Sequence, residues 1–221
     1  MKKAMNIAID SSSLVINRFS GLSQVVENLI QAIVRADNSN HLNLYINYFN
    51  TKKSATELCY PNAMNHILRI PRRVVERWWN FGWPPFDFYM KDIDLYHSLH
   101  IDIPPTKKIK TVLTVHDCRY MAYPALYSER EVAEYKYRME KSLNRADMIV
   151  TVSKFTRNEV LNHFSFPDER IKVIHNGFNQ IPCNDGKLKD RANKFIHSKK
   201  LPPSYLICVG TSYPPKNITR L

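Results

Sequence analysis

His116-Asp117 directly follows the apolar run Thr111–Val115, and His97 lies in a shorter run, Leu95-Tyr96-His97-Ser98. An imidazole and a carboxylate just past the end of a strand stand where an α/β sheet gathers its ligand-contacting groups. The competing reading of His116 is a histidine satisfied by a neighbouring backbone carbonyl, and for His97 a supporting or structural role is equally open. Ser153 and Asn176 follow two further apolar runs, Met148–Val152 and Ile171–Ile174. Asp92-Ile93-Asp94 has carboxylate spacing that would suit a hard divalent cation. It immediately precedes a short buried strand, however, where a polar start is ordinary, so no metal is expected there. Cys118 adjoins the His116-Asp117 pair without a partner arrangement that would make a thiolate nucleophile.

The elements that must carry these residues are legible in the pattern. Met5–Asp10 reads as a short buried strand followed by a polar loop of serines. From Gly21, the residues Leu22, Val25, Val26, Leu29, Ile30, Ile33 and Val34 fall on one helical stripe, which predicts a helix packed on a core. Leu42–Phe49 alternates like a second strand, and His66–Ile70 is a third, stopped by Pro71. Ser128 with Glu131 is a capping-box signature for a helix running to about Ala146. Ser153 is placed to cap the helix after Met148–Val152, and Asn176-Gly177 is a turn dipeptide. Apolar strands separated by amphipathic helices predict an α/β class, a Rossmann-like doubly wound parallel sheet. In such a sheet ligands sit beyond the carboxyl ends of the strands, which directs attention to Asp10–Gly21, His97–Ile101, His116–Tyr120, Ser153 and Asn176.

Bulk properties narrow the class. The chain has 221 residues, 44% hydrophobic and 24% charged, the balance of a globular protein. Its four cysteines show no paired spacing, which fits neither a zinc site nor a disulfide framework and suits a reducing, cytoplasmic setting. No stretch approaches the roughly 20 apolar residues of a membrane span. A net charge of +12 favours anionic partners, yet no nucleic-acid recognition motif accompanies it, so nucleic acid is not expected. The basic run Arg69–Arg77 leads into Trp78, Trp79, Phe81, Trp83, Phe86 and Phe88. That pattern fits either peripheral contact with an anionic membrane or a helix packing its tryptophans on the sheet.

Four segments in order resemble family 4 glycosyltransferases of the two-Rossmann (GT-B) type. They are Asp10 with Ser20-Gly21-Leu22-Ser23; Asp94–Ser98 followed by Thr114–Asp117; Ala146–Thr156 continuing through Ile171–Gly177; and Val209-Gly210-Thr211 with Pro215-Lys216-Asn217. The resemblance is nearest to bacterial enzymes that extend surface polysaccharides such as lipopolysaccharide, many of them mannosyltransferases. It implies retaining transfer of a hexose from a nucleotide diphosphate sugar to a glycan or lipid-linked acceptor, without a metal or other cofactor. By the same resemblance, His116 and Asp117 are the catalytic candidates, with His116 on the donor sugar. Gly21, His97, Ser153, Asn176 and Lys216 are donor- or acceptor-binding candidates, with Lys216 on the diphosphate. Ser23 replaces a second glycine often present in the first loop, and Thr211 stands where many members carry an arginine.

The expected organisation is an acceptor-side Rossmann-like domain over 1–182, a linker with one short helix over 183–204, and the first strand and helix start of a truncated nucleotide-sugar domain over 205–221. A chain so organised is expected to be inactive alone, and to sit in the cytoplasm or at the inner face of the membrane. A sugar-nucleotide epimerase of the same fold, or a non-catalytic basic binding module, remain the alternative functions.

Overall fold

Seven short apolar runs become seven parallel strands in the computed structural model, which describes residues 4–18, 20–37, 39–49, 58–178, 186–208 and 218–220. The strands are β1 (Asn6–Asp10), β2 (His41–Asn47), β3 (Ala63–Leu68), β4 (Leu95–Ser98), β5 (Lys110–Val115), β6 (Met148–Thr151) and β7 (Ile171–Val173). Their order in the sheet is β3-β2-β1-β4-β5-β6-β7, with every pairing parallel. This is the doubly wound arrangement expected from the sequence. Helices α1 (Ser12–Ile16), α2 (Gly21–Ala36), α3 (Arg72–Phe81), α4 (Arg119–Ala122), α5 (Glu129–Arg145) and α6 (Lys154–His163) connect the strands.

The apolar stripe of α2 does what its spacing requires. Val26 and Ile30 are fully buried against Ile9, Leu42, Leu44 and Leu99, and Leu22, Leu29, Ile33 and Val34 flank them. Another cluster gathers Ala8, Tyr45 and Tyr96 around Phe86, with the rings of Tyr45, Tyr96 and Tyr89 meeting Phe86 edge-on. A third packs α5 and α6 residues Met139, Leu143 and Val160 on Leu113, Val115 and Ile149. The capping box forms as read: the Ser128 hydroxyl accepts from the Glu131 amide at 3.3 Å, and the Glu131 carboxylate accepts from the Ser128 amide at 2.9 Å.

Three readings are corrected. The serine stretch after β1 is not wholly a loop but holds the one-turn helix α1. Serine favours helices poorly, and here the Asp10 carboxylate accepts from the Ser12 amide at 3.0 Å and so fixes the turn locally. β2 ends at Asn47 rather than at Phe49, and Leu42–Ile46 is buried throughout despite the alternation. Its polar Asn43 is tolerated because its side-chain oxygen lies 2.8 Å from His66 Nε2 on the adjacent strand β3.

The chain divides into two compact units, Met1–Gly177 and Phe178–Leu221. The second holds helix α7 (Gly186–Ser198) and a short 3₁₀ turn, Ile218–Arg220. The strand expected from Tyr205 is the third correction: Tyr205–Cys208 forms none among the described residues, and Leu206 is 97% exposed. A strand needs a neighbour to complete its ladder, and among the described residues every strand belongs to the first unit. Among the described residues no helix is long and apolar enough to cross a membrane.

Candidate functional site

Strand order reverses between β1 and β4, so the loops leaving these neighbours turn to opposite sides and open a crevice at their carboxyl ends. Register fixes what faces it. Ile9 pairs with His97, so both point to the face that α2 covers. The His97 ring continues across the sheet, with Nε2 2.8 Å from Thr114 Oγ1 on β5.

His116 begins the loop after β5. Its Nε2 lies 3.2 Å from the Leu99 carbonyl oxygen. A carbonyl only accepts, so Nε2 carries the proton and Nδ1 is left as an acceptor. The carbonyl-satisfied reading is therefore correct for Nε2, and it aims the ring without using its second nitrogen. Leu99 itself packs with Ile9, Leu14 and Val26, which ties His116 to the α1–α2 side of the crevice. Burial and then the neighbouring His116 hold the His97 imidazole down to about 4. Burial also lowers His116, opposed by the Leu99 hydrogen bond and Asp117, with a further downward contribution from His100. Both rings are thus neutral at neutral pH, serving as dipoles rather than cations. Asp117 is exposed: its carboxylate accepts from the Arg119 amide at 3.3 Å and lies 3.6 Å from the Arg119 Nε. The Tyr135 hydroxyl donates to the Asp117 carbonyl at 2.8 Å.

Ser153 is brought to the same loop by a different route. Its hydroxyl caps α6 by accepting from the Thr156 amide at 3.0 Å, and the Thr156 hydroxyl donates to the His116 carbonyl at 3.3 Å. Asn176 is exposed beyond β7, next to His175, whose Nδ1 donates to the Val152 carbonyl at 3.1 Å. Lys216, like Thr211, lies outside the described residues. Cys118 is buried, and burial pushes its thiol up to about 12, which leaves no thiolate at neutral pH. Asp94 anchors β1, its carboxylate accepting from the Asn6 amide at 2.8 Å, in keeping with a strand-start role. Among the described residues no group of three or more His, Cys, Asp or Glu could hold a metal ion.

Gly21 opens α2 behind its cap Ser20, and an added Cβ there would meet nothing within 4 Å. Among the described residues no neighbour demands glycine at this position. Gly21→Ala is therefore expected to leave the urea midpoint unchanged or raised, by up to about 0.5 kcal/mol, because alanine restricts the unfolded chain. A lowered midpoint would show that the turn itself requires glycine. Ser23, standing for the second glycine, is fully buried and braces the loop: its Oγ lies 2.6 Å from the Asn17 carbonyl, 3.0 Å from the Ser13 carbonyl and 2.8 Å from Ser20 Oγ.

A cavity of about 490 Å³ adjoins the crevice at the carboxyl ends of β1 and β2, walled by α3. Its polar lining includes Asp10, Ser12, Asn47, Arg72, His100 and Asp102, and its aromatic lining includes Trp79 and Tyr48. His100 lay inside the stretch already singled out, His97–Ile101. Asp102 and Arg72 carried no local signal, since what places Asp102 is a two-pronged pairing with Arg138, 36 residues away.

The model of Glycosyltransferase Family 4 matches residues 19–180, a span that contains Gly21, His97, His116, Asp117, Ser153 and Asn176. The chain belongs to this family. Over 106 residues it is 28% identical to the O-antigen chain mannosyltransferase RfbU of Salmonella typhimurium, covering 48% of this chain and 26% of that protein. Over 129 residues it is 26% identical to O-antigen chain mannosyltransferase B of Escherichia coli, covering 58% of this chain and 33% of that protein. The chain thus spans a third or less of the curated relatives it matches. Among solved structures, Anabaena Alr3699/HepE in complex with UDP and glucose aligns with a TM-score of 0.47 at 13% identity, over 86% of this chain and 50% of that one.

Proposed function

We propose that this family 4 protein transfers a hexose from a nucleotide diphosphate sugar to a glycan or lipid-linked acceptor in surface polysaccharide synthesis, with retention at the anomeric carbon. Mannose is the leading candidate, since both curated relatives are named mannosyltransferases. The observation that carries the reading is that a neutral, oriented His116 and the start of α2 border the same crevice of a family 4 chain.

In this reading 1–182 is the acceptor-side domain, 183–204 a linker and 205–221 the opening of the domain that holds the nucleotide. The acceptor lies in the cavity walled by α3, where Asp10, Asn47, His100 and Asp102 offer partners for its hydroxyls and Trp79 offers a face for a sugar ring. The donor sugar lies against His116, whose Nδ1 accepts from a hydroxyl of the donor and so holds the ring for attack. His97 keeps the β4–β5 end in register through Thr114, and Ser153 fixes the loop through Thr156. The first-turn amides of α2 oppose the charge that develops on the departing diphosphate, which is the work a metal does elsewhere, and Lys216 remains a diphosphate-binding candidate by the family resemblance alone. Gly21 lets that phosphate approach the main chain. The setting is cytoplasmic, in keeping with four cysteines that show no paired spacing.

The test is an assay of the protein with labelled UDP- and GDP-hexoses, with and without membrane-extracted glycans. Labelled glycan together with acceptor-dependent release of nucleoside diphosphate is expected when a nucleotide-holding domain is supplied, and none from the 221-residue chain alone. Release of free sugar without any acceptor would indicate the epimerase instead, and no release with retained glycan binding would indicate a binding module.

A further inference from the structure

Helix α3 and the turn after it divide their aromatic residues between two destinations. Trp79 turns inward, donating its indole N–H to the Tyr89 hydroxyl at 3.0 Å, while its carbonyl accepts from Arg145 at 2.6 Å. Phe86 is fully buried, and its amide donates to the Pro105 carbonyl at 2.7 Å. Phe81, Trp83 and Phe88 turn outward and are 74%, 70% and 73% exposed. Three large aromatic residues within eight positions, each mostly in water, form a costly surface for a protein on its own. Gly82, with φ at 74°, ends the helix and folds the chain back so that the Trp83 amide reaches the Trp78 carbonyl at 3.2 Å. The exposed rings are therefore mounted on an ordered turn.

The charge around them has one sign. Residues 69–91 hold five basic and two acidic side chains, and both acids are engaged. Glu76 pairs with Arg72 at 2.7 Å, and the Asp87 carboxylate accepts from the amides of Lys107 and Lys108 at 2.9 and 2.8 Å. Arg73 and Arg77 are exposed on the helix and have no acidic partner among the described residues, and Arg77 lies 5.4 Å over the Phe81 ring. The two amide bonds hold the basic pair Lys107-Lys108 at Asp87, the residue that precedes Phe88.

We propose that this surface, Arg73, Arg77, Phe81, Trp83 and Phe88 with Lys107-Lys108, docks the protein on an anionic lipid surface. The rings enter the headgroup boundary and the cations meet the phosphates. Aromatic side chains with amphipathic character partition to that boundary, and basic residues beside them add attraction that salt screens. A single-sign charge flanking exposed rings fits anionic headgroups. An acidic protein or a second copy of the chain would also have to supply a shaped apolar counterpart. The inference is independent of what the acceptor is or whether sugar is transferred.

The experiment is co-sedimentation of the 221-residue chain with phosphatidylcholine vesicles with and without phosphatidylglycerol, at low and high salt, while tryptophan emission is quenched by brominated lipid. Binding only to anionic vesicles, weakened by salt and accompanied by quenching, is expected. The R73E/R77E pair is expected to lower partitioning at least ~10-fold, since each basic residue near such a surface is worth about fivefold. W83S is expected to abolish most of the quenching. All three side chains are exposed, so the variants should melt with the parent, and circular dichroism checks this. Three results would each overturn the proposal: no sedimentation, sedimentation unchanged in both variants, or a concentration-dependent dimer abolished by the same substitutions.

Discussion

Sugar transfer, measured with a nucleotide-holding domain supplied, falls about 10²- to 10³-fold in kcat/KM when His116 becomes alanine, with the fold retained. The magnitude is that of losing one preorganised polar contact at a reacting centre inside a water-poor crevice. Two features make the position sensitive. The ring is held by the Leu99 carbonyl at 3.2 Å, so Nδ1 points in one direction, and burial keeps the imidazole uncharged. A neutral acceptor can take a sugar hydroxyl's proton in a hydrogen bond, which an imidazolium cannot. His116→Gln separates contact from position: an amide that recovers much of the rate marks a hydrogen-bonding role. A kcat/KM within about threefold of the parent in His116→Ala would mean that His116 only steadies the Leu99 segment.

The second large effect is on stability. His97 is held down to about 4, first by burial and then by His116, whereas an unfolded histidine titrates near 6.5. The unfolded chain therefore binds more protons than the folded one between those values, and stability rises with pH across that window. The contribution is complete above about pH 6.5 and is lost as pH falls toward 4, on the order of 3 kcal/mol for a shift of this size. Urea midpoints measured at about pH 7 and about pH 4.5 should differ accordingly. In His97→Gln, which keeps a partner for Thr114 but does not titrate, the difference should shrink by more than half. An undiminished pH dependence in that variant would place its origin elsewhere.

What could be read from the sequence was local or periodic. The Ser128–Glu131 capping box spans three residues and forms as written, and the α2 stripe carries its own period. The strands could be read because each is short, apolar and bounded by polar residues. α1 escaped because its helical turn rests on a side chain outside it, Asp10, rather than on the propensity of its serines. The burial of β2 escaped because Asn43 depends on His66 from the next strand. For the site, His116 and Ser153 were visible as residues just past strand ends. The wall of the cavity was not, since Arg72 and Asp102 are set there by Glu76, Arg138 and the fold between them. The aromatic run after Arg77 carried two readings, and the packing one describes Trp79, which turns inward, but not Trp83, which faces out.

The Ser20–Ser23 pair has a polarity that follows from counting protons. The Ser23 hydroxyl has one hydrogen, and the carbonyls of Asn17 and Ser13 both compete for it. The contact between the two hydroxyls must then run from Ser20 to Ser23, while Ser20 receives the Ser23 amide. Both O–H bonds are directed inward, and neither offers a donor to the crevice. What meets a visitor at the mouth of α2 is the peptide backbone at the positive end of the helix dipole, a surface biased toward a negatively charged group over a neutral alcohol.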